Sequence, residues 1–285
     1  MKSNNLILAA TAALALFAAG PAMADSKDWT TTGVTIAMEG AYAPWNLTNP
    51  DGTIGGFEPE LAQVLCAHMK VKCTVVPSDF DSIIEGLNSN KFDAVMDSLS
   101  ITPEREKVIA FSIPYANTPT SFETTKGSSL ENLAGTGTTI KLTGDAANDT
   151  PLIAKFKDAF KGKTIGVQAA TVYTKFLDDN FGDIATIREY KTTSERDLDL
   201  IAGRIDAGFD DATAEQAAFA TAGNESLEFT GPTIGGTIFG PGQGVGLRQS
   251  DTQLKALFDD AIKAALADGT VKTLSEKWFK LDVEP

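Results

Sequence analysis

The chain has 285 residues, and its 38 aspartates and glutamates outnumber its 24 lysines and arginines, giving a formal net charge of −14 at pH 7. A surface this acidic argues against nucleic acid or anionic lipid as a partner. It would suit a cationic small ligand, but exported proteins are often acidic without one, so net charge alone leaves both interpretations open. The length is sufficient for two domains.

The first segment, Met1–Ala24, has the parts of a secretory signal peptide. Lys2 supplies a short positive region, an apolar run extends over Leu6–Ala19, and Ala22-Met23-Ala24 forms a small-residue cleavage site. The apolar run is shorter than the about 20 residues that a membrane-spanning helix needs. We therefore predict export from the cytoplasm, cleavage after Ala24 and a soluble mature protein.

Strands and helices then alternate in two successive units. The first is predicted to contain a strand at Val34–Met38, a helix at Glu58–Met69, a strand at Cys73–Val76, a helix at Asp81–Leu87 and a strand at Ala94–Met96. The second is predicted to contain a strand at Lys163–Val167, a helix at Thr171–Asn180, a strand at Thr186–Tyr190, a helix at Ser194–Ala202 and a strand at Asp206–Phe209. This alternation predicts an α/β fold with mainly parallel sheets and crossover helices. Two amphipathic helices, Thr252–Ala267 and Val271–Phe279, follow near the end of the chain.

Two further segments have unusual composition. Lys126–Lys161 is rich in Thr, Gly and Ala and becomes helical around Leu152–Phe160, so we interpret it as a surface elaboration of the second unit. Gly235-Gly236 and Gly240–Gly246 are glycine-rich, but no Lys-Ser/Thr follows a strand there, as a phosphate-binding loop would require. We predict no cofactor.

The two cysteines, Cys66 and Cys73, lie seven residues apart. An even pair in an exported chain suggests a disulfide. His68 is the only histidine and has no neighbouring cluster of metal ligands, so we predict no metal site and place His68 at the surface.

The stretch Asp93–Tyr115 combines a predicted strand with a helix start. Small polar residues follow the strand, and Thr102 is a candidate N-cap with Pro103 at the first helical position. Arg105 then lies in the first helical turn, where the macrodipole disfavours a cation unless an anion is bound with it. A guanidinium can bind both oxygens of a carboxylate. The alternative is a solvated arginine paired with Glu104 or Glu106.

The same stretch resembles the solute-binding proteins of bacterial ABC importers for polar amino acids, known as extracellular solute-binding family 3. The resemblance extends to EGAYAPWN (Glu39–Asn46), to the segment Gly56–Leu87, to GRIDAGFDD (Gly203–Asp211) and to the tail Phe239–Phe279. The most similar branches bind lysine, arginine and ornithine, histidine, or opines. These proteins carry a disulfide at the spacing of the two cysteines, which supports that pairing.

The resemblance implies a two-lobed fold with a hinge of two chain crossings, near Asn117–Pro119 and Gly231–Ile234. Residues 25–117 and 234–285 would form the first lobe, and residues 118–233 the second. The expected motion is closure of the lobes around a ligand. The expected partners are a small amino acid and an ABC permease in the inner membrane, and the protein is expected to be a monomer.

The resemblance also assigns roles to residues that would recognise an amino-acid backbone. Arg105 matches the family's carboxylate-binding arginine and Asp211 its ammonium-binding aspartate, while Ser98 and Ser100 match its paired serines. From the residues alone, Asp211 would instead be the N-cap of a helix at Ala212–Phe219.

A fifth position, also expected to contact the amino-acid backbone of the ligand, departs from the family pattern. Val172 stands where a Thr or Gly usually donates through its backbone, so no hydroxyl is available there, and Thr171 beside it could supply one.

Four residues are expected to set specificity. Tyr42 and Phe80 match aromatics that flank the ligand's side chain. Glu39 stands where the binders of lysine, arginine and ornithine carry an acid, whereas Asp97 stands where they usually have a small residue. Once Arg105 and Asp211 are matched by the ligand's zwitterion, the two acids leave surplus negative charge that a cationic side chain would offset.

The leading hypothesis is therefore a periplasmic receptor for a cationic amino acid of the arginine, lysine or ornithine type. An opine is the alternative ligand, although some opine binders lack an acid at the position of Asp211. A dehydratase like those acting on cyclohexadienyl compounds is a less favoured alternative, with Asp97 or Glu39 as general acid. A chemosensory carrier would use the same site with a different membrane partner.

Overall fold

The computed structural model describes residues 27–285, so the predicted signal peptide lies outside the described residues. In chain order, its first half contains α1 (Trp29–Thr32), β1 (Val34–Met38), β2 (Ala41–Tyr42), β3 (Asn46–Thr48), β4 (Ile54–Gly55), α2 (Phe57–Met69), β5 (Cys73–Pro77), α3 (Ile83–Asn88), β6 (Ala94–Val95), α4 (Pro103–Glu106) and β7 (Ala110–Ala116). The remainder contains β8 (Thr120–Thr125), β9 (Thr139–Leu142), α5 (Ala146–Lys157), β10 (Thr164–Gln168), α6 (Val172–Phe181), β11 (Thr186–Tyr190), α7 (Thr193–Ile201), β12 (Ala207–Asp211), α8 (Ala212–Phe219), β13 (Leu227–Gly236), β14 (Gln243–Leu247), α9 (Thr252–Ala267) and α10 (Thr270–Trp278).

The first sheet has the strand order β5-β1-β6-β14-β7. Strand β1 runs parallel to β5 and β6, as the alternating pattern predicts, and β14 joins the sheet antiparallel to β6 and β7. Helices α2, α9 and α10 pack against one another beside it. We call this sheet and its helices lobe one. Its core includes the rings of Trp45, Phe57 and Phe279, whose centroids lie 4.8–5.6 Å apart.

The sequence of helix α2 shows why this helix forms and which of its faces packs into lobe one. Its buried side chains include Phe57, Leu61, Leu65 and Met69, spaced four residues apart on one helical face. The preceding Gly56 has a φ of 123°, and a Cβ there would lie 2.6 Å from the carbonyl oxygen of Trp45. Only glycine therefore fits at the start of this helix.

The second sheet has the strand order β11-β10-β12-β8-β13-β9. Strand β10 is parallel to β11 and β12, whereas β8 is antiparallel to β12 and β13. We call this sheet and its helices lobe two. Its core is centred on Phe122, whose ring centroid lies 4.5 Å from that of Phe209, 4.6 Å from that of Phe160 and 5.4 Å from that of Phe181.

The segment Lys126–Lys161 is more than a surface elaboration of this lobe. Strand β9 adds an edge strand that runs parallel to β13. Helix α5 contributes the buried side chains of Ile153 and Phe156, and Phe160 lies in the 3-10 turn that follows it. The helix also begins six residues earlier than Leu152, with Asp145 as an N-cap that accepts a hydrogen bond from Ala147.

The chain crosses between the sheets twice, after β7 and after β13. The first crossing spans residues 117–119, where the resemblance placed it. The second lies at residues 237–242, after the predicted segment Gly231–Ile234. The difference arises because Thr233–Gly236 still pair with β9 in the second sheet.

The disulfide between Cys66 and Cys73 is confirmed, joining the last turn of α2 to the start of β5. His68 is exposed, with its Nε2 atom 3.8 Å from a carboxylate oxygen of Asp268. Across residues 27–285, none of the helices is both long and apolar enough to cross a bilayer.

Replacing both Cys66 and Cys73 with serine should lower the free energy of unfolding by about 2–3 kcal/mol, because the open chain gains loop entropy when it unfolds. Urea denaturation monitored by circular dichroism measures this loss. Reducing the native protein should give the same loss, and a reductant should have no further effect on the double serine variant. A loss below about 0.5 kcal/mol would contradict a stabilising role for the cross-link.

Candidate ligand-binding site between the two lobes

A cavity lies between the lobes, with about 340 Å³ of empty space when the part open to solvent is counted. Residues from both lobes line it: Glu39, Tyr42, Phe80, Asp97, Ser98, Ser100, Arg105, Gln168, Thr171, Val172 and Tyr173. Several of them lie at or just past the ends of β1, β6 and β10, at the carboxyl ends of parallel strands where open α/β sheets bind ligands. Every residue predicted for the site lines this cavity except Asp211.

Arg105 is held at one end of the cavity by local backbone structure. Thr102 caps α4 by accepting a hydrogen bond from the Arg105 amide, with Pro103 at the first position, as predicted. The guanidinium donates to the carbonyl oxygens of Ser100, at 3.1 Å, and Ala170, at 3.2 Å.

This guanidinium has no carboxylate partner within ion-pair distance among residues 27–285, so the alternative pairing with Glu104 or Glu106 is not observed. It lies 5.8 Å from the ring centroid of Phe80. Burial lowers the pKa of Arg105 to about 10, which leaves the side chain charged at neutral pH. A cation in this setting can accept the carboxylate of a ligand.

Glu39 lies on the loop after β1 and reaches across to lobe two. Both of its carboxylate oxygens accept from the side-chain amide of Gln168, at 2.9 and 3.0 Å. Burial raises the pKa of Glu39 to about 7, and the hydrogen bond from Gln168 opposes part of that rise. Glu39 therefore changes charge near neutral pH.

Asp97 is almost fully buried beneath Glu39. Its Oδ1 atom accepts from the Glu39 amide at 3.1 Å and from the Asn46 side chain at 2.8 Å. Its Oδ2 atom is buried and has no hydrogen-bond partner in the described part of the chain. Burial raises the pKa of Asp97 well above its usual value, and the charges of Glu58 and Glu39 raise it further. The cavity floor thus carries a carboxyl group with one unsatisfied oxygen.

Asn46 and Glu58 support this floor, and the sequence interpretation missed both. The Asn46 amide nitrogen donates to Glu58 at 2.7 Å as well as to Asp97, so it bridges two buried carboxyl groups. Glu58 also accepts from the hydroxyl of Tyr115 and, at 2.7 Å, from the amide of Ser98. The latter bond holds Ser98 at a φ of 46°, a left-handed conformation uncommon for serine.

The start of α6 forms the opposite wall. Thr171 is its N-cap residue, but its hydroxyl donates to the carbonyl oxygen of Gln168 at 2.8 Å. Val172 occupies the first helical position, where the backbone N–H has no partner within the helix. Val172 can therefore donate through its backbone, as the resemblance implies.

Asp211 lies behind the cavity wall rather than among its lining residues. Its carboxylate accepts from the Thr118 hydroxyl and from the amides of Thr213, at 2.8 Å, and Ala214, at 3.2 Å. It is the N-cap of α8, so the interpretation made from the residues alone is confirmed. Burial raises the pKa of Asp211 to about 6. Its role toward a ligand ammonium group stays a prediction.

Three residues outside the predicted set of ligand-binding residues belong to the site or contact it. Gln168 and Tyr173 line the cavity, and Asp210 accepts a hydrogen bond of 2.6 Å from the hydroxyl of Tyr42. Gln168 is the last residue of β10 and Asp210 lies near the end of β12, so their place at the carboxyl ends of strands already indicated that both face the cleft.

Asn46→Ala should lower the free energy of unfolding by about 2–4 kcal/mol, because Asp97, Glu58 and the Gly40 amide would each lose a buried hydrogen bond. Urea denaturation of the ligand-free protein measures this. Asn148→Ala is the matched control, since its amide bonds to Asp145 on an exposed helix start and should matter by less than about 0.5 kcal/mol. Equal effects of the two substitutions would refute the bridging role.

Comparison with known proteins agrees with this architecture. Residues 34–281 match the bacterial extracellular solute-binding proteins, family 3. The octopine-binding periplasmic protein of Rhizobium meliloti is 40% identical over 285 aligned residues, covering 94% of this chain and 95% of that protein. The L-arginine-binding protein of Pseudomonas aeruginosa is 32% identical over 254 residues, covering 88% and 89%.

A solved structure from Silicibacter pomeroyi is also similar. It is a periplasmic His/Glu/Gln/Arg/opine family-binding protein in complex with lysine, with a TM-score of 0.70 and 32% identity, covering 88% of this chain and 99% of that one. The predicted α/β fold, with the two lobes of a periplasmic binding protein, is therefore confirmed. The chain belongs to family 3 of the bacterial extracellular solute-binding proteins.

Proposed function

We propose that this protein is a periplasmic receptor that binds an amino acid with a cationic side chain, of the arginine, lysine or ornithine type, in the cavity between its lobes. The observation that carries the proposal is the separation of charge along the cavity. Among residues 27–285, the guanidinium of Arg105 has no carboxylate partner at one end, and the carboxyl groups of Glu39 and Asp97 have no cation at the other.

The two ends match the two ends of such a ligand. Its α-carboxylate would bind Arg105 and the free N–H of Val172, as a charge-assisted pair supported by a helix start. Its side chain would lie between the rings of Tyr42 and Phe80 and bring a positive charge to Glu39 and Asp97. That charge would offset the cost of burying the two acids.

The α-ammonium group requires acceptors, and we assign this role to Asp211 with Ser98 and Ser100. Asp211 would have to exchange or share one of its present donors, because both oxygens are already hydrogen-bonded.

An opine is the second candidate, favoured by the 40% identity to an octopine-binding protein. Octopine retains the guanidinium of arginine, so the argument from Glu39 and Asp97 applies to it equally. It differs at the α-nitrogen, which is a secondary amine carrying a second carboxylate group. A carboxylate placed near Asp211 would be repelled if that residue were charged, so we favour the free amino acid.

The remaining parts of the proposal concern the cell. We propose that the protein is exported by the segment Met1–Ala24, functions in the periplasm as a monomer and delivers its ligand to an ABC permease of the inner membrane. We propose binding rather than dehydratase chemistry, because Glu39 and Asp97 then have a role in charge compensation that requires no reaction.

Calorimetry on the mature protein, unfolded to remove any ligand and refolded, tests the proposal directly. The titrants are arginine, lysine, ornithine, histidine, glutamine and octopine. Tight binding of a cationic amino acid supports the proposal, and binding of octopine alone moves the assignment to the opine branch. Prephenate or arogenate turnover in the same preparation would establish an enzyme instead.

Arg105→Ala should reduce the affinity for the bound amino acid at least about tenfold, which corresponds to about 1.4 kcal/mol, because the carboxylate loses its cation. Calorimetry measures the affinity, and thermal unfolding of the ligand-free variant checks that the fold is intact. Arg248→Ala, which removes an arginine that pairs with Asp93 and Asp251 within lobe one, is the control that should leave affinity unchanged. A loss of less than tenfold for Arg105→Ala would contradict its assigned role.

Affinity for a cationic ligand should rise about tenfold between pH 6 and pH 8, because Glu39 loses a proton near pH 7 and only its charged form attracts the cation. Below pH 6 Glu39 is protonated and neutral, so it no longer attracts the cation. Calorimetry at several pH values measures the trend, and Glu39→Gln should flatten it.

Glu39→Gln should also weaken cationic ligands more than neutral glutamine. Equal losses for both kinds of ligand would remove Glu39 from recognition of the side chain.

A further inference from the structure

Tyr42 makes a contact between the lobes through its hydroxyl, a group to which we assign no contact with the ligand. Its ring lines the cavity from lobe one, and its hydroxyl donates at 2.6 Å to the Oδ1 atom of Asp210 in lobe two. Both residues are buried, with relative exposures of 8% and 1%. A hydrogen bond from a hydroxyl to a carboxylate in such a setting is among the stronger kinds.

Asp210 is held in place by lobe two alone. Its Oδ1 atom also accepts from the Asp211 amide at 2.7 Å, and its Oδ2 atom accepts from the Arg196 guanidinium at 2.7 Å. All three partners of Asp210 donate to it, so the side chain acts as an acceptor. Its orientation toward Tyr42 therefore does not depend on lobe one.

Arg196 fixes this acceptor from behind. It is 1% exposed and makes further ion pairs of 2.8 Å with Glu123 and with Asp197. Moving this buried cation away would leave its carboxylate partners buried without a counter-charge, which costs a large amount of free energy. The Asp210 carboxylate is therefore a rigid, preformed site for a donor from the other lobe.

Other contacts across the cleft differ in one respect. Glu39 with Gln168, and Arg105 with the Ala170 carbonyl, use groups to which we assign a ligand, so a bound ligand competes with them. Lys191 with Asp79 is exposed on both sides, and such pairs contribute little. The Tyr42–Asp210 bond is buried and uses neither Glu39 nor Arg105.

We propose that the hydrogen bond from Tyr42 to Asp210 is a latch that holds the lobes closed over the ligand, with Asp210 as a positioning residue that also orients the Tyr42 ring in the cavity wall. Opening the cleft breaks this bond and exposes both groups to water. The latch acts on the closed state, so it slows ligand release and has little influence on ligand entry. The proposal requires a receptor whose lobes close, whichever amino acid or opine it binds.

Tyr42→Phe removes the hydroxyl and retains the ring. We expect the dissociation rate of arginine to rise about tenfold with an association rate unchanged within about twofold, since interactions of a closed complex act mainly on release. Stopped-flow fluorescence measures both rates. If calorimetry identifies octopine as the ligand instead, the same measurement is made with octopine.

A dye on each lobe reports the closed fraction by single-molecule energy transfer, with and without ligand. Tyr42→Phe should lower that fraction in both conditions, so this readout decides for or against the latch even if none of the tested ligands binds. Failure of the proposed function and failure of the latch are thereby distinguished.

Tyr190→Phe is the matched control, because Tyr190 donates to Asp199 at 2.8 Å within lobe two and no part of that bond crosses the cleft. It should leave both rates and the closed fraction unchanged. Asp210→Asn, alone and combined with Tyr42→Phe, completes a double-mutant cycle in which the double variant should lose no more than the larger single loss.

The latch is overturned if Tyr42→Phe changes neither the release rate nor the closed fraction by more than Tyr190→Phe does. It is also overturned if the losses of the two single variants simply add. Should Asp210→Asn fail to fold, the Tyr42→Phe rates and closed fraction decide the question alone.

Discussion

Removing a carboxylate from water is costly unless a cation or several hydrogen bonds replace the solvent, and this protein buries such groups on both sides of its cleft. The two lobes solve the problem differently. In lobe two, the guanidinium of Arg196 is surrounded by Glu123, Asp197 and Asp210. In lobe one, Asp97 and Glu58 have only neutral donors such as Asn46. The first cluster contains a cation, although one guanidinium cannot neutralise three carboxylates, and burial raises the pKa of Glu123 well above its usual value. The second cluster has no cation among residues 27–285 and is open to protons or to a cation from outside.

That difference explains why the buried acidic residues of the two lobes can have different roles. The cluster around Arg196 is a fixed structural element, and its Asp210 carboxylate accepts a hydrogen bond from Tyr42 of the other lobe. The uncompensated acids lie at the cavity floor, where burial raises the pKa values of Glu39 and Asp97. Lobe one therefore holds the acids that can respond to the charge of a ligand, and lobe two holds the rigid acceptor that faces lobe one.

The sequence predicted what local chemistry determines. The N-cap at Thr102, the helix Thr252–Ala267 and the strands Val34–Met38 and Thr186–Tyr190 are found where the pattern of caps and apolar residues placed them. The position of Arg105 followed from the same local rules. The N-cap role of Asp211 could also be read from the residues that follow it.

The sequence could not predict contacts between residues that lie far apart along the chain. Glu39 and Gln168 are 129 residues apart, and Tyr42 and Asp210 are 168 apart, so no periodicity relates them. The second crossing was placed too early for a related reason. The glycines near its start resemble a turn, but Gly235 and Gly236 continue a strand because β9 pairs beside them.

The two crossings differ in length and in how each is held to the lobes. The first has three residues: the Asn117 amide is bonded to Val283, Thr118 is bonded to Asp211 and Gln243, and the ring of Pro119 fixes its φ angle. The second has six residues, among them Gly240 and Gly242 at φ angles of 96° and 139°. The second crossing is hydrogen-bonded as well, through the Gly242 carbonyl to Ile101 and through the Thr237 amide to Leu142. A Cβ at position 240 would lie 1.9 Å from the carbonyl oxygen of Ile101, so a larger residue there would force the two lobes apart at the crossing.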